Sequence, residues 1–128
     1  ETIQGTMDKI WGVVNKYNNT TLINARSETV NELPMFKYMK PCIIPAIGYF
    51  EWDKDKKKYL FTKPDRSIMH MAGVYKDDRF VIITKEAYEE FVPIHYRMPF
   101  IISIEDIPAW LKEKKLCSRQ EEYLYKKA

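Results

Sequence analysis

Pro41-Cys-Ile-Ile-Pro-Ala-Ile-Gly-Tyr-Phe-Glu-Trp52 is the most apolar stretch of the chain. Its hydrophobic residues fall on both alternating faces, the pattern of a strand covered on two sides. Pro45 has no amide to give a neighbouring strand and Gly48 has no side chain, so a bend or bulge is expected there. Residues 53–57 supply a turn and residues 58–62 return as the hairpin partner. Downstream, 69–75 and 80–84 read as a second hairpin around Lys76, Asp77 and Asp78. Thr84 is placed to cap a helix over 85–91 that Pro93 ends. Residues 100–102 read as a short strand. Ser103-Ile-Glu-Asp106 has the spacing of a capping box, opening a helix through Ala109, Trp110 and Leu111 with Pro108 in its first turns.

Upstream of the apolar stretch, residues 10–14 read as a strand containing Gly12, and the Asn- and Thr-rich 15–21 as a loop. Ser27 is placed to open a short helix over 28–33, which Pro34 stops or kinks, with one more turn over 35–39. Strands outnumber helices and the clear connections are hairpins. The expected fold is a single α+β domain with a mainly antiparallel, curved sheet.

The chain has 128 residues, 45% hydrophobic and 30% charged, which suits one domain with a real core. The uncharged run 41–50 falls far short of the roughly 20 residues that span a bilayer, so no transmembrane helix is expected. Residues 1–8 lack the basic-then-apolar order of a secretory signal. A start other than methionine suggests a fragment, a processed product or a trimmed chain. The formal charge of +3 permits a phosphate-bearing partner without requiring one. Basic residues cluster at Lys54, Lys56, Lys57, Lys58, Lys63 and Arg66, and again at Lys112, Lys114, Lys115, Arg119, Lys126 and Lys127; solvated loop and helix faces are the favoured reading of both. Cys42 and Cys117 sit in unlike contexts, which speaks against a disulfide and for a reducing compartment. With His70 and His95 the only histidines, no zinc-ligand spacing is present, and neither metal nor cofactor is expected.

Three places offer chemistry. Glu51 ends the apolar stretch with Tyr49 and Ile47 on its own face, where poor hydration would raise its pKa and suit it to acid–base work. A carboxylate reaching water beside the Asp53 turn is the competing reading. His95, followed by Tyr96, Arg97, Met98 and Pro99, fits either a proton shuttle or phosphate contact, or a structural group at a helix end. Asn24-Ala25-Arg26-Ser27-Glu28 joins an amide, a guanidinium and a helix start, all suited to phosphate oxygens.

Trp11-Gly12, Asn24-Ala25-Arg26-Ser27-Glu28-Thr29, the Cys42 to Trp52 run and Ile94-His95-Tyr96-Arg97-Met98-Pro99, in this order and spacing, resemble the SOS-response-associated peptidase (SRAP) family over about residues 10–111. The resemblance implies an α+β domain around a bifurcated sheet with a barrel-like centre. It implies binding of single-stranded DNA at abasic sites in the DNA damage response. There an N-terminal cysteine condenses its α-amine with the sugar aldehyde and closes a thiazolidine through its thiol. "Peptidase" refers to self-processing that exposes that cysteine. By the same resemblance Glu51 is the acid/base, His95 handles protons at the sugar and Asn24 orients the reacting terminus. Arg26 and Arg97 hold phosphates, and Trp52 and Trp11 pack against strand or bases. The expected setting is a monomer in the cytoplasm at the nucleoid, or the nucleus of a eukaryote, with no membrane partner.

The sequence departs from that pattern in three places. The N-terminal Met-Cys start is not in it: either that segment is missing from this sequence or the chain is a degenerate member, inactive as a peptidase or lyase if the cysteine is truly absent. Neither Cys42, matching a buried family cysteine, nor Cys117 replaces it. Val13-Val14-Asn15 follow the Trp-Gly motif where the family usually has proline, and the tail after Leu111 does not match the family's closing strand region. The alternatives are a non-catalytic single-strand binder that keeps the phosphate groove and a protein-interaction domain without a nucleic-acid role.

Overall fold

Strands supply most of the regular structure in the computed structural model, which describes residues 1–128. In chain order they are β1 (Ile10–Trp11), β2 (Val13–Asn15), β3 (Thr20–Leu22), β4 (Asn24–Arg26), β5 (Lys40–Ala46), β6 (Tyr49–Trp52), β7 (Lys58–Thr62), β8 (Met69–Lys76), β9 (Arg79–Glu86), β10 (Arg97–Pro99) and β11 (Leu124–Lys127). Two short helices, α1 (Pro34–Lys37) and α2 (Ile107–Glu113), complete the set. The α+β class with a largely antiparallel sheet is as expected.

β9 organises the larger, six-stranded sheet. β1 and β4 run parallel along one of its edges, while β8 and then β10 run antiparallel along the other. β5 continues that sheet beyond β8, pairing Lys40 with Tyr75 through to Ala46 with Met69. A second sheet has three strands in the order β11-β7-β6, and β2 and β3 form a small ribbon.

The apolar 41–52 stretch is therefore shared between sheets, not laid down as one bent strand. The break falls at Gly48, where a Cβ would meet the Phe61 carbonyl oxygen at 2.7 Å, so β6 and β7 approach only because that side chain is absent. Full two-sided burial holds for Cys42 and Ile43 alone; from Tyr49 onward the strand alternates between half-buried and exposed. Gly12 makes a similar joint. At φ 117° it adopts backbone that favours glycine, splitting the expected 10–14 strand into β1 and β2.

Two cores lie on opposite faces of the larger sheet, the second shared with the three-stranded sheet. The larger is mostly aliphatic, with Val30, Ile43, Val74, Val81, Ile83 and Ile102 around Trp110, which is fully buried. The Trp110 indole N–H donates to the Cys42 carbonyl at 2.8 Å, tying α2 to β5. The second core is sulfur- and aromatic-rich: Phe61, Met69, Met71, Phe91, Met98 and Tyr123. Tyr49 stacks on Phe61 with ring centroids 4.8 Å apart, and Phe61 meets Phe91 edge-on at 5.2 Å.

Other expected elements differ. Residues 28–33 form turns, and Pro34 opens α1 at its first position instead of ending a helix. Thr84 caps no helix: β9 runs on through Glu86 because β10 pairs with its end, and only a 3₁₀ turn at Glu89–Phe91 remains. The strand expected at 100–102 falls instead at Arg97–Pro99, and Ile101 contributes a single bridge to Met71. Ser103 makes no cap, since its hydroxyl donates to Glu121 at 2.5 Å; a 3₁₀ turn over Ile104–Asp106 precedes α2. The tail also forms a strand, β11 on β7. Before that strand, Arg119 donates to Asp106 at 2.7 Å, holding that carboxyl below its ordinary range. Lys114, in left-handed backbone after α2, donates to the Phe36 and Lys37 carbonyls at the end of α1, each at 3.1 Å. No helix is long and apolar enough to cross a membrane.

Candidate functional site

Glu51 and His95 meet where the two sheets meet. Glu51 comes from β6, on the same face as Tyr49, and His95 from the turn leading into β10. Glu51 Oε2 lies 3.8 Å from His95 Nδ1, both side chains partly exposed, and Glu51 Oε1 accepts the Trp52 N–H at 3.2 Å. His95 does not end a helix. Its ring stacks on Tyr96, with Nδ1 3.1 Å from the Arg97 carbonyl and 3.2 Å from the Arg97 N–H. A protonated Nδ1 donates to that carbonyl and a bare Nδ1 accepts that N–H. Either way Nε2 stays free to take or give a proton.

Arg97 ties this pair to the edge of the larger sheet. Its guanidinium grips the Glu28 carboxylate through two hydrogen bonds of 2.7 and 2.9 Å and donates to the Thr84 carbonyl at 2.9 Å and hydroxyl at 3.3 Å. The fork-on-fork contact brings the Glu28 carboxyl down to about 2 and raises the Arg97 pKa. Only 9% of the Arg97 side chain is exposed, against 66% for Arg26, whose guanidinium lies 3.6 Å from Glu28. Arg26 is thus the open cation, while four of the five Arg97 donors are engaged within the protein. Asn24 is exposed on β4, and Trp11 sits beside it because its indole N–H donates to the Ile23 carbonyl at 2.8 Å.

The structure thus groups Glu51, His95 and Arg97, and along β1 and β4 groups Trp11, Asn24 and Arg26, with Glu28 bridging the two sets. Trp52 stands apart. One residue beyond Glu51 in a pleated strand, it takes the opposite face, with the Lys58 ammonium 5.7 Å from its ring. Glu28 and Thr84 were missed as site residues. Glu28 is part of the quoted Asn24 to Thr29 motif, but nothing local in the sequence announces its bond to an arginine 69 positions away. No group of three His, Cys, Asp or Glu converges to hold a metal ion. The buried Cys42 thiol is pushed up to about 11 by burial, which keeps it protonated and unreactive.

The family profile described as SOS response associated peptidase (SRAP) matches residues 5–128. The chain belongs to the SRAP family. The match runs on through β11, so the tail after Leu111 lies within the SRAP domain. Among curated relatives, the abasic site processing protein YoaM of Bacillus subtilis is 33% identical over 109 residues, covering 73% of this chain and 48% of that protein. The abasic site processing protein YedK of Escherichia coli is 32% identical over 112 residues, covering 77% and 50%. This SRAP chain spans about half the length of the curated relatives it matches. Among solved structures, a protein from Bacteroides thetaiotaomicron superposes with a TM-score of 0.62 at 32% identity, covering 70% of this chain and 47% of that one. A phage-related protein from Bordetella bronchiseptica shares the fold at TM-score 0.76 and 22% identity, covering 94% and 70%.

Proposed function

We propose that this SRAP chain processes abasic sites in single-stranded DNA as part of the DNA damage response, acting as a monomer in the compartment that holds the DNA. The observation that carries this reading is the Glu51–His95 pair, 3.8 Å apart and partly open to solvent. An opened abasic sugar presents an aldehyde. Its capture needs a proton delivered to the carbonyl oxygen and one removed from the attacking amine, which an adjacent carboxylate and imidazole manage together. Glu51 is the acid/base for imine formation, and His95, through its free Nε2, moves protons at the sugar. Asn24 orients the reacting amine. Arg26 holds a backbone phosphate, Arg97, its charge already paired with Glu28, adds its one uncommitted N–H, and Trp11 offers a half-exposed ring for stacking.

In the finer form of this reading, the nucleophile is the N-terminal cysteine of the whole protein. Its α-amine and the aldehyde lose water to give the imine, and its thiol adds across the C=N bond to close the thiazolidine. Neither oxidant nor cofactor is consumed.

The test uses the whole protein, begun at its native N-terminus, with single-stranded DNA bearing one abasic site. The expected result is an adduct that survives denaturing electrophoresis, formed about a hundredfold more slowly by Glu51→Gln. Salt-sensitive retention without an adduct would reduce the function to non-covalent binding. Binding and reaction indifferent to both Arg26→Ala and Glu51→Gln would overturn the reading.

A further inference from the structure

The three-stranded sheet has two unlike faces. Inward, Tyr49 and Phe61 close the aromatic core. Outward, Ile47, Phe50, Leu60 and Leu124 border an open groove of about 570 Å³. Ile47 is 74% exposed and Phe50 49%, so this apolar strip lies uncovered in the fold. Strand register sets the strip in rows, with Phe50 opposite Leu60, Leu60 opposite Lys126 and Thr62 opposite Leu124.

Cations frame the strip. Arg66 and Lys126 line the groove, and Lys58 holds its ammonium 4.1 Å over the Phe50 ring. Two carboxylates of the flanking turns bond within those turns. Asp53 accepts the Asp55 and Lys57 N–H groups, both at 2.9 Å, and Asp65 accepts the Ser67 N–H at 3.0 Å and its hydroxyl at 2.7 Å. A greasy floor inside a positive rim is complementary to a chain that alternates negative and bulky apolar side chains.

We propose that this outer face docks an acidic peptide segment of a partner protein, its apolar side chains seated in the groove between β6, β7 and β11 and its carboxylates on Lys58, Arg66 and Lys126. The lining favours peptide over nucleic acid. Its apolar floor mixes Ile47, Leu60 and Leu124 with the rings of Phe50 and Tyr125, and the faces of Phe50 and Trp52 that bases would need are shared with the Lys58 ammonium. β6 is paired on one side only, by β7, so an extended segment also finds free main-chain groups along its other edge. Because Glu51 projects from the opposite face of β6, docking here leaves the reacting pair uncovered.

The probe is a fluorescein-labelled synthetic peptide, Asp-Leu-Glu-Phe-Asp-Leu-Glu-Asp, titrated with the full chain by anisotropy. The expected result is saturable binding that weakens about tenfold or more when Lys58→Glu and Lys126→Glu are combined, with an unchanged thermal midpoint confirming the fold. A peptide with Lys in place of every acid then binds the charge-reversed protein and not the original. A version with Ser in place of Leu and Phe binds neither. Absence of saturable binding, or binding indifferent to the charge reversal, overturns the proposal. So does an oligo-dT strand whose binding, unlike the peptide's, is lost on charge reversal, and so does a concentration-dependent dimer abolished by Leu60→Glu.

Discussion

The two sheets are stabilised in different ways. The six-stranded sheet threads β9 between β8 and β10 on one edge and β1 and β4 on the other, over an aliphatic core closed by Trp110. The three-stranded sheet has no helix over its outer face and is held from within by stacked rings, Tyr49 on Phe61 and Phe61 against Phe91. His95 sits in the turn that enters the first, and Glu51 lies on a strand of the second. The contact between them is thus an inter-sheet distance, and stability of either sheet alone does not guarantee it.

The largest expected effect is on the larger sheet. Trp110→Ala leaves a buried void and removes the indole bond to the Cys42 carbonyl, costing about 3–5 kcal/mol, measured by urea denaturation. Its effect on the chemistry is expected to follow only the fraction folded. Gly48→Ala reverses that balance. Its Cβ would press on the Phe61 carbonyl at 2.7 Å, so β6 and β7 must part at a cost of about 1–3 kcal/mol. Because Glu51 rides on β6, adduct formation by fully folded protein is expected to fall more than for Trp110→Ala; equal rates per folded molecule would break the comparison.

The smallest effect belongs to Glu28→Gln. The folded Glu28 carboxyl titrates at about 2, below its ordinary value of 4.5, so its contribution is complete above the ordinary value and disappears as pH falls through about 2. Solvent screening of a carboxylate 42% exposed limits that contribution to about 1 kcal/mol. Denaturation midpoints of the two proteins should differ near neutral pH and converge at about pH 2. Midpoints that stay apart in acid would show that the Arg97 grip acts through shape instead of charge.

Hairpins and apolar strands were legible because period-2 patterning and turn residues are local; β6–β7 and β8–β9 fell where expected. Helices were overread for a physical reason. Ser27, Thr84 and Ser103 look like caps, yet the Ser27 N–H pairs with the Thr84 carbonyl, the Thr84 hydroxyl meets Arg97 and the Ser103 hydroxyl meets Glu121. Distant partners outbid the local helix start. Among the site candidates, the meeting of Glu51 with His95 was readable only through the family resemblance. The separation of Trp52 from Glu51 follows from strand alternation alone and was missed because a motif was read as a unit.

The Lys114 ammonium bridging the Phe36 and Lys37 carbonyls bears on the order of folding. A four-residue helix does not repay the entropy of its own nucleation. α1 therefore waits for α2 to arrive from the far end of the sequence, 77 and 78 positions away. In a kinetic experiment, truncating Lys114 should speed unfolding and leave the folding rate nearly unchanged, the signature of a contact made after the main barrier is crossed.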